Sequence, residues 1–304
     1  MRTIFYMLRV PNLLMIALTF LMLRYLIFMP VYSAGSIISG LGNLNYLLLI
    51  IATVLIAAAG YISNDYFDVI TDQINKPEKQ YIGKQISAGT ALATALLLSI
   101  IAIVLAFWLT WQIQSLLAFI LLFIAVIITW WYAISLKKSF IWGNIAVACM
   151  SAGTIAMAWI IENQCILIPA EPFGIITQII AAISIFAFLL SLLREIVKDI
   201  EDIEGDKLMN CKSIPITKGI PFTKNILFII TVITFALLMI SQMYLFQFER
   251  YIAVIWLLIG VEIPVIWFAL LLRKSESKTD YHKLSSLLKL IMLGGILTMV
   301  AGQF

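Results

Sequence analysis

Acidic side chains concentrate in two stretches of this sequence, NDYFDVITD from Asn64 to Asp72 and REIVKDIEDIEGD from Arg194 to Asp206. On a helix, at about 100° per residue, Asn64, Asp65, Asp68 and Asp72 fall within an arc of roughly 100°. Glu195, Asp199, Asp202 and Asp206 share a narrower arc of roughly 60°, while Glu201 and Glu204 point elsewhere. Like charges crowded on one helix face repel by a few tenths of a kcal/mol per exposed pair, and by more beside lipid. A cation between them turns that repulsion into binding. An all-oxygen donor set suits Mg²⁺, which takes one or two carboxylates, its own waters and the oxygens of a substrate phosphate. The expected metal ligands are therefore Asn64, Asp65, Asp68, Asp72, Asp199, Asp202 and Asp206.

The elements that carry these groups follow from composition. Across 304 residues the chain is 63% hydrophobic and 12% charged, with a mean hydropathy of +1.06. Soluble globules run near 45–50% apolar and 25% charged, so this is an all-α, polytopic membrane protein. At about 20 apolar residues per span, nine transmembrane helices are predicted, at 11–33, 44–66, 89–109, 115–136, 141–162, 174–199, 222–247, 250–272 and 284–302. Short connections leave no room for a soluble module, so residues 1–304 read as one membrane domain around a central cavity opening near the cytoplasmic face. Nothing resembles a nucleic-acid footprint. Cys149, Cys165 and Cys211 are scattered, with His282 as the lone histidine, a pattern that speaks against zinc and disulfides. Arg24 interrupts the first apolar run and no cleavage site follows, so that run reads as a retained helix rather than a signal peptide.

Basic residues set the orientation. Arg2 and Arg9 precede the first helix, and Lys76, Lys79, Lys84, Lys137, Lys138, Arg194, Lys198, Lys207, Lys212, Lys218, Lys224, Arg273, Lys274, Lys278, Lys283 and Lys289 fall in or beside the connections after even-numbered helices. The opposite connections offer only Arg250. By the positive-inside rule the N-terminus and both acidic motifs are cytoplasmic, and an odd helix count sends the C-terminus across. The order of motif helix, polar loop, basic residues and proline recurs four helices later, which suggests a duplicated four-helix unit. Arg24 and Glu262 remain as intramembrane charges. They are expected to face the interior, paired with protein or water, although Arg24 can also snorkel and Glu262 can bond backbone freed by Pro264.

NDYFDVITDQINKP resembles the NDxxDxxxD motif of the UbiA superfamily of intramembrane prenyltransferases, and KDIEDIEGD resembles its second Asp-rich motif. Helix count and motif placement extend the resemblance over nearly the whole chain. It implies an all-α bundle that binds a polyprenyl diphosphate through Mg²⁺ and transfers the prenyl group to an acceptor. The segment YAISLKKSFIWGN is similar to the family's tyrosine and lysine segment, with Tyr132 and Lys137 five apart where the common form has four. RVPN resembles the N-terminal Arg-Pro-x-Asn signature with its proline shifted by one, which makes Asn12 a site-lining polar group. In KPEKQYI, Lys79 stands where many members have arginine.

The residues carry the same chemistry without the family. An allylic diphosphate leaves only when its charge is neutralised, which carboxylate-held metal and nearby lysines achieve. Lys76, Lys79, Lys84, Lys137 and Lys212 are the candidate phosphate contacts, with simple positive-inside bias as the alternative for each. The predicted catalytic set is Asp68, Asp72, Asp202, Lys137 and Tyr132, the tyrosine shielding a carbocation from water, with an ordinary interfacial aromatic belt as the competing account. KDIEDIEGDK followed by CKSIP is most similar to the branch that etherifies a glycerol phosphate lipid with a geranylgeranyl group. Surplus cations at Lys207, Lys212 and Lys218 favour such a phosphorylated acceptor, with an aromatic acceptor as runner-up. A transporter is disfavoured because its carboxylates would sit near the bilayer midplane on broken helices.

Overall fold

Lipid offers no hydrogen bonds, so apolar segments that cross it satisfy their backbone groups internally as helices. The computed structural model describes residues 5, 7–34, 41–75, 81–164 and 172–303. Among the described residues, nine helices are long and apolar enough to span a bilayer: α1 (Val10–Ser33), α2 (Asn43–Phe67), α3 (Ala88–Ile113), α4 (Leu116–Ile134), α5 (Trp142–Gln164), α6 (Gly174–Glu201), α7 (Ile220–Gln247), α8 (Tyr251–Lys274) and α9 (Lys278–Ala301). Their number and order are those expected. The largest shift in an end is at α9, predicted to start at 284. There the Ser277 side chain accepts from the Asp280 N–H while the Asp280 carboxylate accepts from the Ser277 N–H, a capping box that starts the helix ahead of its apolar run. Lys289 lies well inside the α9 span and lines the central cavity.

Helix α2 packs against α3 and α4, α6 packs against α5, α7 and α9, and α1 joins the two groups by touching α2, α5 and α9. Small residues set the close approaches: a Cβ on Gly60 of α2 would strike the Thr129 methyl of α4, and one on Gly294 of α9 would strike the Gly260 carbonyl of α8. One apolar cluster gathers Phe20, Phe28, Leu49, Leu122 and Ile161; a second gathers Leu193, Ile196, Phe268, Leu284 and Leu288.

Both motif helices bend at their central aspartate. α2 ends at Phe67, Asp68 takes φ −98° and ψ 6°, and a short helix Val69–Asn75 follows. α6 ends at Glu201, Asp202 takes φ −101° and ψ 10°, and a short helix Ile203–Leu208 follows. The carboxylates therefore do not share one straight helix face, as their spacing predicts; the second half of each motif turns across the end of the bundle. Asn75 fixes that turn, its Nδ2 donating to the Asp202 carbonyl (2.9 Å) and its Oδ1 accepting from the Gly205 N–H (3.0 Å). A Cβ on Gly205 would lie 2.5 Å from Asn75 Nδ2, so only glycine permits the contact. The same bend at the same motif position, four helices apart, is what an internal repeat produces.

Arg24 does not snorkel. It sits in a π-helical stretch of α1, Leu23–Phe28, at 2% exposure, and Nη1 donates to Glu162 Oε2 (2.9 Å). Nη2 donates to the Leu41 carbonyl (2.5 Å) and Asn43 Oδ1 (3.3 Å), and the guanidinium lies 4.7 Å from the Tyr46 ring centre. π-Helical backbone recurs at Leu258–Glu262 in α8, where Glu262 is buried and its Oε1 has no hydrogen-bond partner among the described residues.

Candidate active site

A cavity of about 1280 Å³ runs through the bundle, lined by α1, α2 and α4 through α9. Apolar side chains such as Ile56, Ile128, Ile179 and Met292 line its length, and charge concentrates at the end where the two motifs meet. Of the expected site residues, Asn12, Asn64, Asp68, Asp72, Tyr132, Lys137, Asp199, Asp202 and Asp206 all line this one cavity. The fold thus brings together groups from α1, α2, α4, α6 and the segments after them. Lys76 and Lys79 lie outside the described residues. Lys84 and Lys212 are exposed and are not among the residues lining the cavity. Lys207 and Lys218 are exposed as well.

Side chains from other segments hold two of the motif carboxylates, Asp68 and Asp199. Asp68 receives Lys137 Nζ on Oδ1 (2.6 Å) and Asn64 Nδ2 on Oδ2 (2.8 Å). Asp199 receives Asn144 Nδ2 (2.7 Å). Asp65 differs from the rest: Arg9 Nη2 binds its Oδ1 at 2.7 Å, and it does not line the cavity. Arg9 adopts a left-handed backbone (φ 50°, ψ 48°) immediately before α1 and also covers the Tyr61 ring at 4.9 Å. Asp65 thus pairs with Arg9 much as Asp68 pairs with Lys137.

Among the described residues, no group of three Asp, Glu, His or Cys side chains converges closely enough to hold a metal by itself. Mg²⁺ that shares its shell with substrate oxygens takes one or two protein carboxylates. The donors fit: Asn64 Oδ1 is buried at the cavity without a hydrogen-bond partner, an amide oxygen beside Asp68 and Asp72. Burial, and then the Asp206 carboxylate, push the Cys211 thiol up to about 11. Cys149 is also a free thiol.

Sequence reading missed several functional groups. Asn75 and Asn144 hold the motifs in place, and nothing in their spacing marks them. Arg194, Glu195 and Lys198 line the cavity as well. Their signal was available, since Lys198 and Arg194 lie four and eight residues before Asp202 and so near its helix face; positive-inside bias absorbed them.

A helical membrane bundle with a charged mouth, two mirrored Asp-rich bends and an apolar interior defines an intramembrane transferase of lipid-like groups. The UbiA prenyltransferase family matches residues 22–293, and the chain belongs to that family. Its relatives include the digeranylgeranylglyceryl phosphate synthase of Saccharolobus solfataricus, 34% identical over 254 residues that cover 82% of this chain and 81% of the relative. The protein of that name from Methanobrevibacter smithii is 31% identical over 261 residues, covering 85% and 87%. Among solved structures, one described as a digeranylgeranylglyceryl phosphate synthase in membranes is similar at a TM-score of 0.64 with 24% identity, covering 99% and 97% of the two chains. A UbiA homologue from Archaeoglobus fulgidus bound to GPP and Mg²⁺ is similar at 0.62 with 15% identity, covering 98% and 99%. These structural likenesses establish the shared fold. The chain is an integral membrane prenyltransferase.

Proposed function

We propose that this prenyltransferase moves a polyprenyl group, geranylgeranyl, from its diphosphate to the hydroxyl of a lipid-like glycerol phosphate, releasing diphosphate, with Mg²⁺ as cofactor and the motif end of the bundle facing the cytoplasm. The observation that carries this reading is the convergence of Asn64, Asp68, Asp72, Asp202, Asp206 and Lys137 on one end of an apolar cavity. Relatives at 31–34% identity over most of the chain, named for a glyceryl phosphate product, support the acceptor class.

Asn64, Asp68, Asp72, Asp202 and Asp206 would hold the metal, which supplies positive charge to the diphosphate as the allylic C–O bond breaks. Lys137, 2.6 Å from Asp68 Oδ1, would neutralise an oxygen of the leaving diphosphate. Asn144 keeps Asp199 turned inward by a 2.7 Å hydrogen bond. The half-buried Tyr132 lines the cavity within electrostatic reach of Glu195, Asp199 and Asp68, and it would exclude water from the allylic carbon. The apolar length of the cavity takes the prenyl tail.

The test is incubation of purified protein in detergent with labelled geranylgeranyl diphosphate, Mg²⁺ and a panel of acceptors, followed by mass analysis. Ether lipid formed from geranylgeranylglyceryl phosphate, and lost in excess EDTA, is expected. Efficient prenylation of an aromatic acid or naphthoate, with the glycerol phosphate ignored, would overturn the acceptor class while leaving the site assignment standing.

A further inference from the structure

A second charged cluster lies deeper in the cavity than the Asp-rich bends. Arg194 and Lys198 of α6 both line the cavity and both donate to one oxygen, Glu195 Oε1, at 2.9 and 2.8 Å. The side chains of Arg194, Glu195 and Lys198 are 15%, 10% and 26% exposed. One carboxylate therefore answers two cations. Arg9 also lies within electrostatic reach of Glu195, but its own guanidinium is taken by Asp65. Arg194 Nε is buried with no hydrogen-bond partner.

The cluster extends from the acidic site along α6, with Asp199 immediately after Lys198. At 1.5 Å per residue, Lys198 and Arg194 lie about 6 and 12 Å along the axis from Asp202, toward the bundle interior. Lys137 already answers Asp68 from the other side of the cavity. A buried donor without a partner, as Arg194 Nε is, is unfavourable until an acceptor meets it. The lysines expected from sequence to meet the acceptor, Lys207, Lys212 and Lys218, are exposed instead.

We propose that Arg194 and Lys198 form the subsite for the phosphate of the acceptor and make this enzyme select phosphorylated over neutral alcohols, with Glu195 as the resident counter-ion that orients both. The inference rests on the glycerol phosphate reading above. A phosphate dianion matches two cations that share a single carboxylate, and the planar guanidinium offers it two parallel donors. The uncommitted Arg194 Nε is available to that anion without breaking an existing bond.

The experiment compares geranylgeranylglyceryl phosphate with its dephosphorylated alcohol as acceptors, using the full chain in detergent. Arg194→Gln and Lys198→Gln should each raise KM for the phosphorylated acceptor by roughly 10-fold to 100-fold, the effect of losing a charge-assisted hydrogen bond. KM for the donor should move by less than about twofold, and the kcat/KM preference for the phosphorylated acceptor should fall by the same factor as its KM rises. Arg194→Lys should recover part of that preference. Glu195→Gln should shift it in the opposite direction, tightening the phosphorylated acceptor, an outcome that a poorly folded protein cannot give. Equal losses on both acceptors, or a rise in donor KM alone, would overturn the subsite and leave the proposed reaction intact. A wild-type enzyme that ignores the glycerol phosphate altogether would overturn both.

Discussion

At the scale of single residues, Asp68 and Asp199 are carboxylates steadied by neighbouring side chains. Asp68 illustrates the arrangement, since Lys137 and Asn64 bind its two oxygens separately and leave it poised at the cavity. Asp68→Asn keeps the volume and removes the charge, so turnover should fall by at least about 10²-fold, the scale for losing one preorganised electrostatic group. Asp202→Asn should do the same, and initial rates on protein of unchanged melting temperature check both. Lys137→Met retains the apolar stem and loses the ammonium. It should raise the donor's KM roughly tenfold with a smaller effect on the acceptor's, and steady-state kinetics with each substrate varied in turn decide it.

At the scale of elements, the site depends on two helices that bend where they become functional. The short helices Val69–Asn75 and Ile203–Leu208 pack together, and Asn75 bonds both the Asp202 carbonyl and the Gly205 N–H. Lys278 adds a tie from α9, donating to the Asn75 carbonyl at 2.8 Å. Gly205→Ala forces a methyl group against Asn75 and breaks this clamp, which should cost about 1–3 kcal/mol. A lower melting temperature in detergent, accompanied by a drop in kcat, is the expected result. An unchanged melt would show that the two bends hold their shape independently of Asn75.

Across the whole molecule, the end of the bundle away from the motifs is tied by a buried ion pair. Arg24 of α1 and Glu162 of α5, at 2% and 0% exposure, join the start of α2 through Leu41 and Asn43. Removing one partner strands a buried charge, so Glu162→Leu or Arg24→Met should each destabilise by about 3–5 kcal/mol. The double substitution should recover much of that loss, because an apolar pair of similar volume packs without desolvating charge. Melting temperatures of the two single variants and the double variant, compared as a cycle, measure the coupling.

The number of spans, the all-helical fold and the site-bearing stretches are legible in the sequence because they rest on local properties. A run of apolar residues must form a helix in lipid wherever its neighbours go, and carboxylates at intervals of three and four remain clustered even when the helix bends between them. Partners were another matter. Asp65 and Asp68 are alike in the sequence, yet the fold sets Arg9 against one and Lys137 against the other, and Glu162 is one acidic residue near a helix end until Arg24 reaches it from α1, 138 residues earlier in the chain. Lys212 and Lys198 are both basic residues near the second motif, yet one lies on the surface and the other lines the cavity. Which cation meets which anion depends on helix rotation and on where each bend turns the chain. Contacts between distant segments set both, and no local pattern encodes them.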